Sequence, residues 1–427
     1  MSTPARRMDP RPVPVVATVV RQHAEEAALL HRTRTTLTEA PDVRLAHLRR
    51  FDDRVEAHLD GLRIAGEPGW RCCETALGEL SAGTMFTAAT RALEQDHGGR
   101  IDQLCALAEK VPVASTGLIS AFGWLEGEQL RGTVARLLGR ADAFSRLVGI
   151  AACSLHRVDA GDALEQWVRD PRPAVRARAL RMAGEIGRLD LMSACGAATA
   201  DDDDDARFRA AWSAVLLGDR NRAVKVLTRV GLAAGRHRHG AARLALQVMP
   251  LPAAREMVRE LARNEHQRRG LIEGTGVAGD PASVPWLISQ MTQSPVARVA
   301  AEAFTLVTGC NLESAALDGG PPEGFQSGPT GDPDDPDIDM DPDDGLPWPD
   351  VRKVEAWWAS NSARFEKGVR YFMGAPVTRE HCIDVLKNGY QRQRILAAHY
   401  LCLLNPGTPL FNTSAPAWRQ QRLLAQM

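Results

Sequence analysis

One recurring pattern constrains this chain more than any other feature. A basic or polar residue opens an Ala-rich apolar run, and Gly or a comparable breaker closes it about eleven residues later. Copies begin at Arg146, Arg176, Arg207, His239, Arg268 and Arg298, so successive starts lie 30, 31, 32, 29 and 30 residues apart. A weaker copy begins at Ser115. Most copies follow a second apolar stripe at helical spacing, as in Ala163, Leu164, Trp167 and Val168. Short links join the two, often with Pro, as in Asp170-PRPAVR and Ser294-PVAR; Pro suits a turn or the first turn of the next helix.

Each repeat therefore reads as helix A, tight turn, helix B. Small residues such as Ala179, Ala183, Ala210, Ala214 and Ala301 let neighbouring B helices approach closely. One such pair cannot bury its apolar face alone, whereas a stack of pairs buries a continuous core. The expected fold is all-α: an α-solenoid of HEAT-like helix-turn-helix repeats, with atypical terminal helices. The Val-Arg opening helix B in the passage 170–179 is the feature most similar to HEAT repeats. An aromatic content of 5% agrees, because sheets favour aromatic and β-branched residues.

The chain divides into a disordered N-terminus (1–13), a helical cap with irregular repeats (14–113), the HEAT-like repeats (114–317), an acidic insertion (318–349) and a C-terminal helical repeat and cap (350–427). Apolar stripes predict long helices over Val15 to Leu37 and Leu45 to Ile64. Residues 318–350 are rich in Pro, Gly and Asp and hold no Lys or Arg, a composition that predicts disorder. Helical spacing resumes at Val351 and continues through Arg379-EHCIDVLKNG and Gln391-RQRILAAHYLCLLNPG.

A net charge of −1 gives the whole chain no electrostatic reason to seek nucleic acid or an anionic membrane. The first 14 residues lack the apolar core of a signal peptide, and the eight cysteines form no C-x-x-C pair, so a cytoplasmic location is expected. No nucleophile elbow, phosphate loop or zinc-protease motif is present, and neither a catalytic residue nor a cofactor is expected. Asp201 to Asp205 fits a helix N-terminus better than a cation site. Alternating Asp335, Asp337, Asp339, Asp341 and Asp343 imitate a calcium loop, but no register supplies the Gly and Glu such a loop needs. His237 and His239 lie two apart, off a shared helix face, which argues against metal. Trp212, among alanines in a B helix, reads as core.

Segment 207–243 is locally basic, carrying Arg207, Arg209, Arg220, Arg222, Lys225, Arg229, Arg236, Arg238 and Arg243 against Asp219. Arg207, Arg209, Arg222, Lys225 and Arg229 are the expected partner-binding residues. A protein partner is expected; the alternative is a nucleic-acid-binding HEAT protein resembling helical-repeat DNA repair glycosylases, with salt-sensitive DNA binding.

Leu346-PWPD, Trp357-Trp358, Arg370-YFMGAP, Gly389-YQRQRILAAHYL and, near the start, Arg54-VEAHLDGLRIAGEPGW resemble an uncharacterised bacterial HEAT-repeat family encoded near type VI secretion genes. The resemblance implies a solenoid accessory to assembly or effector handling in that apparatus. It assigns a role to no residue.

Overall fold

The sequence periods become helices with little displacement. The computed structural model describes residues 15–263, 267–325, 328 and 341–427. These fall into two compact units, one built from residues up to 34 with 50–133, the other from 35–49 with 134–427. The described residues contain 22 α-helices and two ribbons of two-residue strands. The fold is an all-α solenoid of helix pairs. The disorder expected for 1–13 falls on residues outside those described.

The first unit holds most of α1 (Ala17–Leu37) and α2 (Leu45–Ala65), then α3 (Glu67–Ala76), α4 (Ala82–Glu94), α5 (Gly98–Lys110), α6 (Pro112–Trp124) and the start of α7 (Gly127–Leu138). Glycines let backbones touch along α1, α4 and α6. A methyl group on Gly83 would lie 2.1 Å from the Ala28 carbonyl oxygen, and one on Gly117 2.1 Å from that of Ala82. Interior charge is paired: the Arg34 Nε donates to Asp52 at 2.5 Å, both side chains buried.

Glu56, half-buried, accepts from the Trp124 indole N–H. Burial pushes its carboxyl up to about 7, with Glu94, Asp60 and Asp52 adding repulsion against the Trp124 bond. A carboxyl raised in the folded state binds more protons there than in the unfolded chain. Stability is therefore lost as pH rises from the unfolded value near 4.3 to about 7. Glu56→Gln should stabilise by ~1–2 kcal/mol at pH 8, after allowance for partial exposure, and by almost nothing at pH 4. Urea unfolding at the two pH values checks this.

In the second unit α8 (Ala143–Leu155) precedes five helix pairs: α9 (Asp162–Trp167) with α10 (Pro173–Ile186), α11 (Met192–Ala198) with α12 (Asp204–Leu216), α13 (Arg222–Leu232) with α14 (Arg238–Val248), α15 (Leu251–Ala262) with α16 (Arg268–Ala278), and α17 (Val284–Gln290) with α18 (Ala297–Thr308). The even-numbered helices are the Ala-rich B helices, and each packs on the next. Their opening arginines link the repeats. Arg146, Arg176 and Arg207 each donate to a carbonyl six residues upstream, at 3.2, 2.6 and 2.6 Å. Arg146 also reaches Asp170 at 3.1 Å, and Arg176 reaches Asp201 at 2.6 and 2.9 Å, in the turn of the following repeat. The opening residue of the repeat is thus an inter-repeat tie as well as a solubilising end.

The repeat's closing glycine also has a second role. Gly187, Gly279 and Gly309 cap α10, α16 and α18 in the left-handed conformation. A methyl on any of them would meet a carbonyl of the C-terminal chain: Gly407 at 2.2 Å, Tyr371 at 2.2 Å and Met373 at 2.5 Å. That chain comprises α19 (Val351–Asn361), a ribbon of β3 (Tyr371–Phe372) and β4 (Ala375–Pro376), α20 (Arg379–Asn388), α21 (Gln391–Leu404) and α22 (Ala417–Leu424). It folds back over the ends of the B helices. Tyr371 N–H donates to Gly279 O at 2.8 Å and Met373 N–H to Leu306 O at 2.6 Å. Arg370 donates to the carbonyls of Gln247, Met249 and Ala278. Further on, Arg220 reaches Leu403 O at 2.9 Å, Leu410 N–H reaches Glu185 O at 2.9 Å and Asn412 reaches Leu155 O at 3.3 Å. The ends of α8, α10, α12, α14, α16 and α18 are therefore all engaged by residues 370–412. The linker 38–44 meets the same element, with Gln391 N–H on Val43 O at 2.8 Å.

The acidic stretch 318–349, expected from composition to be disordered, is fixed at both ends. β1 (Asp318–Gly319) pairs with β2 (Trp348–Pro349). Asp343 is buried and takes two bonds from Arg269, at 3.0 and 2.6 Å, while Arg298 binds Asp341 and the Asp343 carbonyl. The Arg298 guanidinium also lies 4.7 Å from the Trp348 ring centre and 5.1 Å from that of Phe325. The average composition hides these few aromatic and acidic anchors, which complement cations of α16 and α18. Asp335, Asp337 and Asp339 lie outside the described residues.

Candidate functional surfaces

The five expected partner-binding cations separate into two groups. Arg222, Lys225 and Arg229 occupy one stripe of α13, spaced i, i+3 and i+7, and all three are exposed. The helix, RAVKVLTRVGL, has no acidic residue, and its opposite face buries Ala223, Val224 and Leu227. Among the described residues none of these three cations has an ion-pair partner. A neighbouring A helix shows the contrast: in α15, Arg259 pairs with Glu256 at 2.9 Å, and Arg263, just past its end, pairs with Glu260 at 2.8 Å.

Arg207 and Arg209 lie instead in the first turns of α12. Arg207 is occupied by Asp204 and the Asp201 carbonyl. Arg209 is partly buried, with Asp205 3.6 Å away and its guanidinium 5.1 Å from the Phe208 ring centre. Burial lowers its pKa to about 10, and repulsion from Arg181 adds to the effect. It remains charged at neutral pH, in a surrounding that solvates it poorly.

The Asp run is structural in its visible contacts. Asp203 caps α12 by accepting from Ala206 N–H at 2.8 Å, and Asp201 is bound by Arg176. His237 stacks on Phe208 with ring centres 4.3 Å apart and approaches Asp205 at 3.1 Å, whereas His239 faces Glu273 at 3.8 Å. Trp212 is buried against His399 in an edge contact at 6.1 Å. Among the described residues no three His, Cys, Asp or Glu side chains converge as a metal site. No described helix is long and apolar enough to cross a membrane.

Sequence reasoning missed a buried charge centre on α10. Glu185 is 4% exposed and accepts from Arg181 at 2.9 Å, from Arg178 at 3.3 and 3.2 Å and from the Ser154 hydroxyl. Arg157 stands 4.0 Å away. Burial alone would raise the Glu185 carboxyl, but Arg181, Arg178 and Arg157 outweigh it and hold the group far below the usual carboxylate range. Arg178, Arg181 and Glu185 do share one helical stripe, which was the available signal. Arg157 and Ser154 come from α8 and the turn after it, and no local spacing predicts them.

A family model describing HEAT repeats matches residues 161–247, which cover α9 to α14 and include both cation groups. No curated protein matches the chain.

Proposed function

We propose that this chain is a non-catalytic interaction scaffold that acts in the cytoplasm as an accessory to type VI secretion, presenting the α13 cations to an acidic surface of a protein partner. HEAT repeats commonly serve as protein-interaction scaffolds. The observation that carries the reading is the Arg222, Lys225 and Arg229 stripe: three exposed cations on a helix with no acid of its own. Most cations of the repeats are tied to carboxylates or carbonyls, so this stripe is charge held in reserve for something outside the chain. The occupied B-helix ends support the same choice, because the chain's own residues 370–412 already cover them. The secretion context rests on the resemblance of the two chain ends.

Affinity purification from a bacterium carrying a type VI locus tests it, comparing the natural chain with the Arg222→Glu, Lys225→Glu, Arg229→Glu variant. The natural chain should recover a component of that apparatus, and the variant should recover at least about tenfold less, since each close charge reversal disfavours complementary docking. Equal recovery by both chains, or no secretion component with either, contradicts the proposal.

A further inference from the structure

We propose that Arg181, Arg209 and Arg236 form a second binding site, distinct from the α13 stripe, which takes a carboxylate of an acidic peptide segment. It rests on the chain acting by binding, but not on the α13 contact.

The site lies where α10, α12 and the start of α14 adjoin. Five guanidiniums gather there, Arg157, Arg178, Arg181, Arg209 and Arg236, against two carboxylates, Glu185 and Asp205. Glu185 is saturated, holding Arg178 and Arg181 and also accepting from Ser154. Asp205 is shared among Arg209 at 3.6 Å, Arg236 at 3.9 Å and His237 at 3.1 Å. Arg209 is left short. Among the described residues its guanidinium makes no hydrogen bond, although only 26% of the side chain is exposed. Arg181 and Arg236 repel it. A partly desolvated cation with unused donors beside like charges is the arrangement an incoming anion relieves.

The neighbourhood also selects the class of anion. Glu185 shows that this spacing of arginines holds a planar carboxylate through two donors. Access exists through Arg181, whose side chain is 41% exposed, and Arg236, 70% exposed. The run Asp201 to Asp205 ends four residues before Arg209, its last two members opening the same helix, and would repel a continuous phosphate track. A short peptide can place one or two carboxylates between these acids, whereas a nucleic-acid strand must bring a charge at every nucleotide.

The test is fluorescence anisotropy on the full chain with a fluorescein-labelled peptide that carries two glutamates among glycines, and with a labelled oligothymidylate as a separate arm. The diglutamate peptide should bind saturably, weaken as salt rises, and lose at least about tenfold in affinity in Arg209→Gln and in Arg181→Gln. The α13 triple variant should bind it as the natural chain does, which separates this site from the contact proposed above. Arg209→Gln should melt no lower than the natural chain, because it removes a repelled charge; a residue with only a structural role would lower the melting temperature. No saturable binding of the diglutamate peptide overturns the site. So does binding insensitive to Arg209→Gln, displacement by millimolar phosphate alone, or tighter binding of the oligothymidylate.

Discussion

Glu185→Gln is expected to destabilise the second unit by about 3–5 kcal/mol, the range found when one partner of a buried ion pair is removed. The carboxyl is buried, and among the described residues it is the only acid paired with Arg157, Arg178 and Arg181. Gln retains the shape and an acceptor for Ser154 but leaves the guanidiniums facing one another. The pH dependence identifies the cause. A carboxyl held low in the folded state contributes stability above its unfolded value near 4.3, and that contribution is lost as pH falls toward the folded value. The gap between natural and variant proteins should therefore be flat from pH 8 to about 5 and narrow below about 4. Denaturant unfolding monitored across that range checks both the size and the shape. A gap independent of pH down to 2 would mean that packing, not charge, is what Gln disturbs.

Arg370→Ala is the second large effect. Its guanidinium caps two B helices at once, donating to Gln247 O and to Met249 O at 2.6 Å at the end of α14, and to Ala278 O at 3.1 Å at the end of α16. Three carbonyls lose a charged donor together, which should cost about 3 kcal/mol. Arg370→Lys should restore less than half, because an ammonium cannot span three carbonyls in a fixed fork. Thermal melting of the three proteins orders them, with natural highest, Lys between and Ala lowest. If Lys restores full stability, position 370 supplies charge without the geometry described.

Legibility in the sequence followed the range of the interactions. α1 and α2, spanning Ala17–Leu37 and Leu45–Ala65, match the predicted helices to within two residues at each end, because a single-helix stripe is local information. The B-helix openings at Arg146, Arg176 and Arg207 were visible for the same reason. Their ties to Asp170 and Asp201 were not, because they join adjacent repeats. The fold-back of residues 370–412 had no signal at all: the bond from Tyr371 to Gly279 spans nearly a hundred residues with no shared period. Asp341 and Asp343 were submerged in a composition that is acidic on average, and only the arginines of α16 and α18 single them out. Of the expected contact residues, the α13 stripe could be read from i, i+3, i+7 spacing. The lowered pKa of Arg209 could not, since repulsion from Arg181 of another repeat contributes to it.

Amide hydrogen exchange tests most directly whether the chain closes over its own helix ends and leaves the α13 side as the surface it offers. The N–H groups of Tyr371, Met373 and Leu410 donate to Gly279, Leu306 and Glu185, and that of Gln391 to Val43. If the C-terminal chain is part of the folded stack, these four amides exchange as slowly as the buried helix α12 and open together with it. If they exchange at the rate of surface turns while α12 stays protected, the C-terminal chain is a detachable appendage, the B-helix ends are free, and the choice of the α13 face loses its basis.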